Sequence, residues 1–268
     1  MKTLLKKIIP SQLKPVAHRV YWRFFDSQAI RSFSSDDSVL RCAVSYNKYG
    51  GYCVPLSSRH SPAANRVLSG YVHEPKTIDF ILSNCGDGDV IHAGTYFGDF
   101  LPALSKGVSP SAKIWAFEPN KEHFRCAKIT LEINDIVNTN LINAGLGAKK
   151  GELFVQTADL NGRALGGSSK ITLTESNLTE TVHVVAIDDI VGQERSISVI
   201  HLDVEGYEKE ALTGALRTIE RCSPILILEV LPGSNLIESN WFSEYVLELG
   251  YRKINEVYKN SIFQCDTK

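Results

Sequence analysis

The sequence has no Cys-x-x-Cys pair, and its six cysteines (Cys42, Cys53, Cys85, Cys126, Cys222 and Cys265) are scattered over 268 residues. That spacing argues against a zinc ribbon or a disulfide framework, so a reducing cytoplasm is the expected compartment. Cys85 and Cys222 flank expected strands and read as inert packing residues. No apolar stretch is long enough to span a bilayer. Neither charge is in excess, with 29 Lys and Arg against 30 Asp and Glu. The bulk attraction that draws nucleic acid to a basic protein is therefore missing, and no nucleic-acid partner is expected. Internal repeats and low-complexity tracts are absent too.

The length suits one large domain carrying an appendage, with an expected division into residues 1–69 and 70–268. The first residues imitate a signal peptide, but Lys6, Lys7 and Pro10 interrupt the apolar run. Six basic residues (Lys2, Lys6, Lys7, Lys14, Arg19 and Arg23) precede the first acid, Asp26, and are interleaved with Leu4, Leu5, Ile8, Ile9 and Trp22. Two readings follow: a helix packed on the domain with a solvated basic face, or peripheral contact with an anionic membrane surface. Val39–Leu56 alternates around Tyr-Asn-Lys-Tyr-Gly-Gly and predicts a hairpin.

From Asp89 the chain adopts a βα rhythm. Strands are predicted at Asp89–Ala93, Lys113–Glu118, Thr139–Gly145, Ile197–Asp203 and Pro224–Val230. Helices are predicted at Thr77–Asn84, Phe100–Ser105, Lys121–Asn134, Tyr207–Thr218 and Trp241–Leu249. Apolar branched strands alternating with helices imply an α/β fold with a mostly parallel sheet covered on both faces. Gly151–Thr157 and Thr181–Ile187 break the rhythm and predict an inserted antiparallel hairpin, whose long polar connection is either a lid or a disordered loop.

In such sheets ligands sit beyond the carboxyl ends of the strands. In "AGTYFGD", three residues separate Gly94 from Gly98, which is not the Gly-x-Gly-x-x-Gly of dinucleotide binding and disfavours a nicotinamide dehydrogenase. Glu118 ends the second strand, where an acid can accept both hydroxyls of an adenosine ribose; a strand-end Glu is also a common surface residue.

The ordered set "DVIHAGTYFGDF", "AFEPNKEHF", "LINAGLGAKKGEL", "AIDDI", "IHLDVEGYEKEALTGA" and "PILILEV" resembles the FkbM family of S-adenosylmethionine-dependent methyltransferases over about Gly70 to Val230. The resemblance implies a Rossmann-like class I methyltransferase with a seven-stranded sheet, ending in an antiparallel strand within "YRKINEVYKNSIFQC". It implies O-methylation of a sugar or natural-product hydroxyl, with S-adenosylmethionine as the methyl donor. By the same resemblance Gly94, Thr95, Tyr96 and Gly98 form the donor loop and Glu118 the ribose acid. Glu74 matches an acid that precedes the first strand in the family, or is an exposed cap.

Two departures stand out. His92 occupies the position of a family Asp, and His201 that of a family Lys. Their strands are expected to be neighbours, so one Asp/Lys contact would have become a His/His contact, which avoids leaving a single buried charge. Otherwise each imidazole bonds backbone or water by itself. A close pair also predicts weaker donor binding at mildly acidic pH, because double protonation is unfavourable.

On the acceptor side, alternation puts His201, Asp203 and Glu205 on one side of the fourth strand. Asp203 is the first candidate for general base, with His201 next, while Glu205 either faces the acceptor or caps the following helix. Glu229 ends the fifth strand and reads as acceptor-binding; two acids alone make too few oxygens for a metal shell, and no metal is assigned. Arg59, His60 and Arg163 lie in loops that could hold substrate or carry only solvated charge. The expected partner is a carbohydrate or small-molecule acceptor. Rival readings are a methyltransferase of a small secondary metabolite and a non-catalytic donor-binding module.

Overall fold

The computed structural model describes residues 39–159, 164–172 and 174–266. The basic segment before Asp26 and Arg163 lie outside the described residues.

Leu40–Lys268 is one compact unit. It opens with a hairpin, β1 (Cys42–Asn47) and β2 (Gly50–Pro55), then α1 (Pro62–Leu68) and α2 (Pro75–Asn84). The alternating core of β3 (Asp89–Ala93), α3 (Leu101–Gly107), β4 (Ile114–Phe117), α4 (Lys121–Ile133) and β5 (Thr139–Ile142) follows. The expected boundary at residue 70 falls inside this unit. Tyr52, Cys53 and Val54 of the hairpin share a buried cluster with Phe97 and Cys126, and the Cys53 amide donates to Thr130 Oγ1 at 3.0 Å. Burial joins the hairpin to α4, so it is part of the domain rather than an appendage.

The insertion is larger than a hairpin. β7 (Gly151–Gln156) and β9 (Thr179–Val185) pair antiparallel, but β6 (Gly145–Leu146) and β8 (Lys170–Thr172) extend them to a four-stranded sheet in the order β6-β9-β7-β8. The stretch expected as one strand to Gly145 therefore splits, its first part staying in the main sheet and its end joining the insertion.

After α5 (Ile187–Ile190) come β10 (Ile197–Leu202), α6 (Glu208–Thr213), α7 (Leu216–Cys222), β11 (Ile225–Glu229), α8 (Asn240–Tyr245), β12 (Tyr251–Val257) and β13 (Asn260–Cys265). The single helix expected over Tyr207–Thr218 breaks between α6 and α7 at Gly214 and Ala215. The main sheet has seven strands in the order β12-β13-β11-β10-β3-β4-β5. Only β13 runs against the others, pairing antiparallel with both β11 and β12.

Strand alternation sends Val90, Val199 and Ile227 to one face, where they bury Ile78 and Ile81 of α2 and Leu101 and Leu104 of α3. It sends Ile91, Ile200 and Leu226 to the other, against Leu212, Ile219 and Phe242. At the amino end of β3, Asp89 accepts from Lys113 N and Trp115 Nε1, both at 2.8 Å, and pairs with Arg195. That satisfied acid belongs to the scaffold, and the carboxyl ends of the strands are left for a site.

Candidate active site

A cavity of about 530 Å³ opens over the carboxyl ends of β3, β4 and β10. The insertion contributes Val155, Gly166 and Ile171 to its lining. Six non-glycine residues among those described have left-handed backbone, and four of them (Glu74, Tyr96, Glu205 and Tyr258) line this cavity. Such conformations cost about 1–3 kcal/mol each and gather where a site dictates the geometry.

The loop after β3 is held on both sides. Gly94 and Thr95 donate backbone N–H bonds to Phe117 O, each at 3.1 Å. Gly94 has φ +79°, and a Cβ there would sit 1.8 Å from the Asp203 carbonyl oxygen. Only glycine lets the β3 and β10 ends approach this closely. Glu118 is buried at the end of β4; its Oε2 accepts the Tyr96 amide at 2.7 Å and its Oε1 the Asn120 amide at 2.8 Å. Each carboxylate oxygen keeps a lone pair, so the group can accept two more donors. The Tyr96 hydroxyl is tied to Ser58 Oγ at 2.6 Å and Ser61 Oγ at 3.1 Å, and burial pushes its pKa up to about 12.

His92 and His201 stand opposite each other in register, with Nδ1 to Nδ1 at 2.8 Å and rings within 5° of parallel. The paired exchange expected from sequence is a direct contact. Phe100 stacks on both rings. Both rings are 2 % exposed, and burial holds His92 well below the usual imidazole range and His201 down to about 4. Burial thus disfavours charging either ring in mild acid, so the histidines are not the source of the weakened donor binding expected there. It also removes His201 as a reserve base, because Nδ1 faces His92 and Nε2 faces Asn260 Oδ1 at 3.3 Å.

Asp203 and Glu229 share a hydrogen bond across β10 and β11. Burial first, and then the Glu229 partner, push the Asp203 carboxyl well above the carboxylate range. The Asp203 hydrogen bond and Lys259, whose Nζ is 3.4 Å away, hold Glu229 below it. The two shifts run in opposite directions, favouring the neutral form of Asp203 and the charged form of Glu229. Glu205 lies beyond the strand at φ +53° and lines the cavity. The helix that follows has Tyr207 at its N-cap and no side-chain cap bond, and the Gly206 amide of the turn donates to Glu208 Oε1 at 3.0 Å.

Glu74 is no exposed cap. It is half-buried on the cavity wall, and its Oε2 accepts from Thr77 Oγ1 at 2.9 Å and Asn260 Nδ2 at 3.0 Å. Asp99, on the wall, and Asn260, which is not among the lining residues, were not picked out from sequence. Asp99 is buried and accepts its own amide and that of Phe100; burial, then Glu74, push it up to about 7. Its position beside Gly98 was the available signal. Asn260 carried none, since its place depends on β13 pairing with β11. Arg59 and His60 are not among the cavity-lining residues, and no group of three or more His, Cys, Asp or Glu among the described residues could hold a metal.

The family model described as "Methyltransferase FkbM domain" matches residues 92–252. No curated relative matches the chain. Among solved structures, the methyltransferase FkbM from Methylobacillus flagellatus KT is 18 % identical with a TM-score of 0.46, over 67 % of this chain and 44 % of that one. The present chain thus spans under half the length of that protein. A SAM-dependent O-methyltransferase from Thermotoga maritima is 13 % identical, with TM-score 0.41, over 72 % of this chain and 66 % of its own. M. jannaschii TYW2 in complex with AdoMet is 9 % identical, with TM-score 0.47, over 85 % and 88 %.

Proposed function

The chain belongs to the FkbM methyltransferase family, and from that premise we propose that it is an S-adenosylmethionine-dependent O-methyltransferase acting on a hydroxyl of a sugar or glycoconjugate. The residues present fit this donor. Gly94 brings bare backbone to the cavity, and Glu118 keeps two lone pairs for a ribose. Asp99 on the cavity wall offers an acceptor to a cationic amino-acid end. When bound, S-adenosylmethionine supplies a methyl group on a positively charged sulfur, which becomes a neutral thioether once an oxygen lone pair takes the methyl.

The observation that carries the reading is the carboxyl pair on the cavity wall. Burial and Glu229 favour the neutral form of Asp203, and Asp203 and Lys259 favour the charged form of Glu229; in the proposed mechanism the pair starts with one proton, on Asp203, and takes one more. An acceptor hydroxyl at Asp203 passes its proton to that carboxyl while the Asp203 proton moves to Glu229. The hydroxyl oxygen is thereby freed as a nucleophile, and the pair ends neutral. Polyhydroxylated acceptors suit a wall of acceptor groups, each hydroxyl donating to one of them, and half-exposed Tyr258 gives a ring for the apolar face of a sugar. Anionic acceptors would be repelled. Free thiols throughout the described residues suit a reducing compartment.

The test is incubation with labelled methyl donor and fractionated glycans and glycolipids, comparing wild type with Asp203→Asn. The amide keeps the shape and still donates to Glu229 but cannot relay a proton. Transfer is expected to fall by ~10² to 10⁴ with donor affinity retained. Near-normal transfer by the variant would remove the pair from catalysis.

A further inference from the structure

A neutral imidazole has one N–H and one bare nitrogen, and the partner of each decides which is which. Around β3 and β10 that choice is made from a distance. Glu74 Oε2 accepts from Asn260 Nδ2, so the amide oxygen of Asn260 is the atom that faces His201 Nε2. An oxygen there can only accept; His201 therefore carries its proton on Nε2. Its Nδ1 is then bare and accepts from Nδ1 of His92. The His92 proton is thus on Nδ1, and its Nε2 is a lone pair. That atom is buried and has no hydrogen-bond partner among the described residues. An unpartnered buried acceptor costs free energy unless something donates to it.

His92 lines the cavity, two residues before Gly94. His92 stacks on Phe100, whose neighbour Asp99 also lines the cavity, and the one lysine among the lining residues, Lys259, is paired with Glu229, so a group received beside His92 meets acceptors and is expected to be rich in donors and cationic. With its ribose at Glu118, S-adenosylmethionine carries one such group at the opposite end, the ammonium. We propose that His92 Nε2 accepts a hydrogen bond from this ammonium, and that Glu74, Asn260 and His201 are positioning residues that keep the nitrogen bare. This rests on the methyltransferase reading of the same site. Glu74 acts on the ligand through three side chains, by setting the direction of every hydrogen bond between it and His92.

The direction is reversible in principle, which makes the inference testable. In Glu74→Gln the side-chain amide can donate to Asn260 Oδ1. Asn260 can then donate to His201 Nε2, and the proton of His92 moves to Nε2, where it repels the ammonium. Histidine-¹⁵N-labelled full-length protein is examined by long-range ¹H–¹⁵N correlation, with His92 and His201 assigned by single substitution, before and after saturation with S-adenosylhomocysteine.

In the wild type, His92 is expected to show a pyridine-type Nε2 and a protonated Nδ1, and His201 the reverse. On ligand binding the His92 Nε2 resonance should shift toward the hydrogen-bonded value. In Glu74→Gln the tautomers should reverse or mix, and affinity should fall roughly 10-fold or more, the loss of a charge-assisted hydrogen bond. A proton on Nε2 of wild-type His92, or an unmoved Nε2 resonance with ligand bound, overturns the inference and leaves the methyltransferase reading standing. Absence of any calorimetric binding of S-adenosylhomocysteine overturns that reading and the inference with it.

Discussion

Asp99 shows how burial converts an ordinary side chain into a sensor. Its carboxyl is closed off by Phe100 and the loop, accepts two backbone amides, and is pushed up to about 7 by burial and by Glu74 and Glu118 nearby. Below that pH it is neutral; above it, it adds a negative charge to a wall that receives a cationic donor. The affinity for S-adenosylmethionine should therefore rise with pH through about 7 and proton release should accompany binding on the acid side, both measured by calorimetry at pH 6 and 8. Asp99→Asn should flatten the rise. The histidines contribute nothing to this window, since burial keeps His201 neutral to about pH 4 and His92 lower still. A wild-type affinity that does not change between pH 6 and 8 would place Asp99 away from the donor.

At the scale of elements, the site exists because β3 and β10 are neighbours whose ends nearly touch. Gly94 closes the gap at φ +79°, with the Asp203 carbonyl where a Cβ would be and the Asp203 amide bonded to Ala93 O at 3.1 Å. Gly94→Ala must either take on left-handed strain, at roughly 1–3 kcal/mol, or push the strand ends apart. Thermal unfolding should shift down by several degrees at ~2–4 °C per kcal/mol for a domain of this size. Donor binding should weaken, because Gly94 presents bare backbone to the cavity and a side chain there would part the strand ends that frame it. A variant that melts and binds like wild type would show that the two strand ends have room to spare.

For the whole molecule, no helix among the described residues is long and apolar enough to cross a membrane. The segment before Asp26, with Lys2, Lys6, Lys7, Lys14, Arg19 and Arg23 among apolar residues, is proposed as a peripheral contact with an anionic surface. Salt-sensitive adsorption to vesicles containing an anionic phospholipid is expected for the full chain and should disappear on deletion of residues 1–25. Equal adsorption by the truncated protein would refute the contact. Adsorption would also favour a lipid-linked glycan among hydroxyl acceptors.

The order of strands and helices, the glycine turn after β3 and the places of Glu118 and Asp203 at strand ends could be read from the chain alone, because hydrophobic period, glycine spacing and strand ends are local properties. Even the meeting of His92 and His201, 109 residues apart, followed once their strands were taken as neighbours. The sequence did not say where the chain leaves one sheet for another. The split of β5 from β6 and the four-stranded insertion depend on which backbone edges are free to pair. Nor could it assign protons. That burial and Glu229 favour the neutral form of Asp203, and that Asn260 joins Glu74 to His201, depend on the close approach of groups far apart in the chain. Hydrogen-bond direction and carboxyl ionisation respond to distance and burial, and both are fixed only when the sheet is assembled.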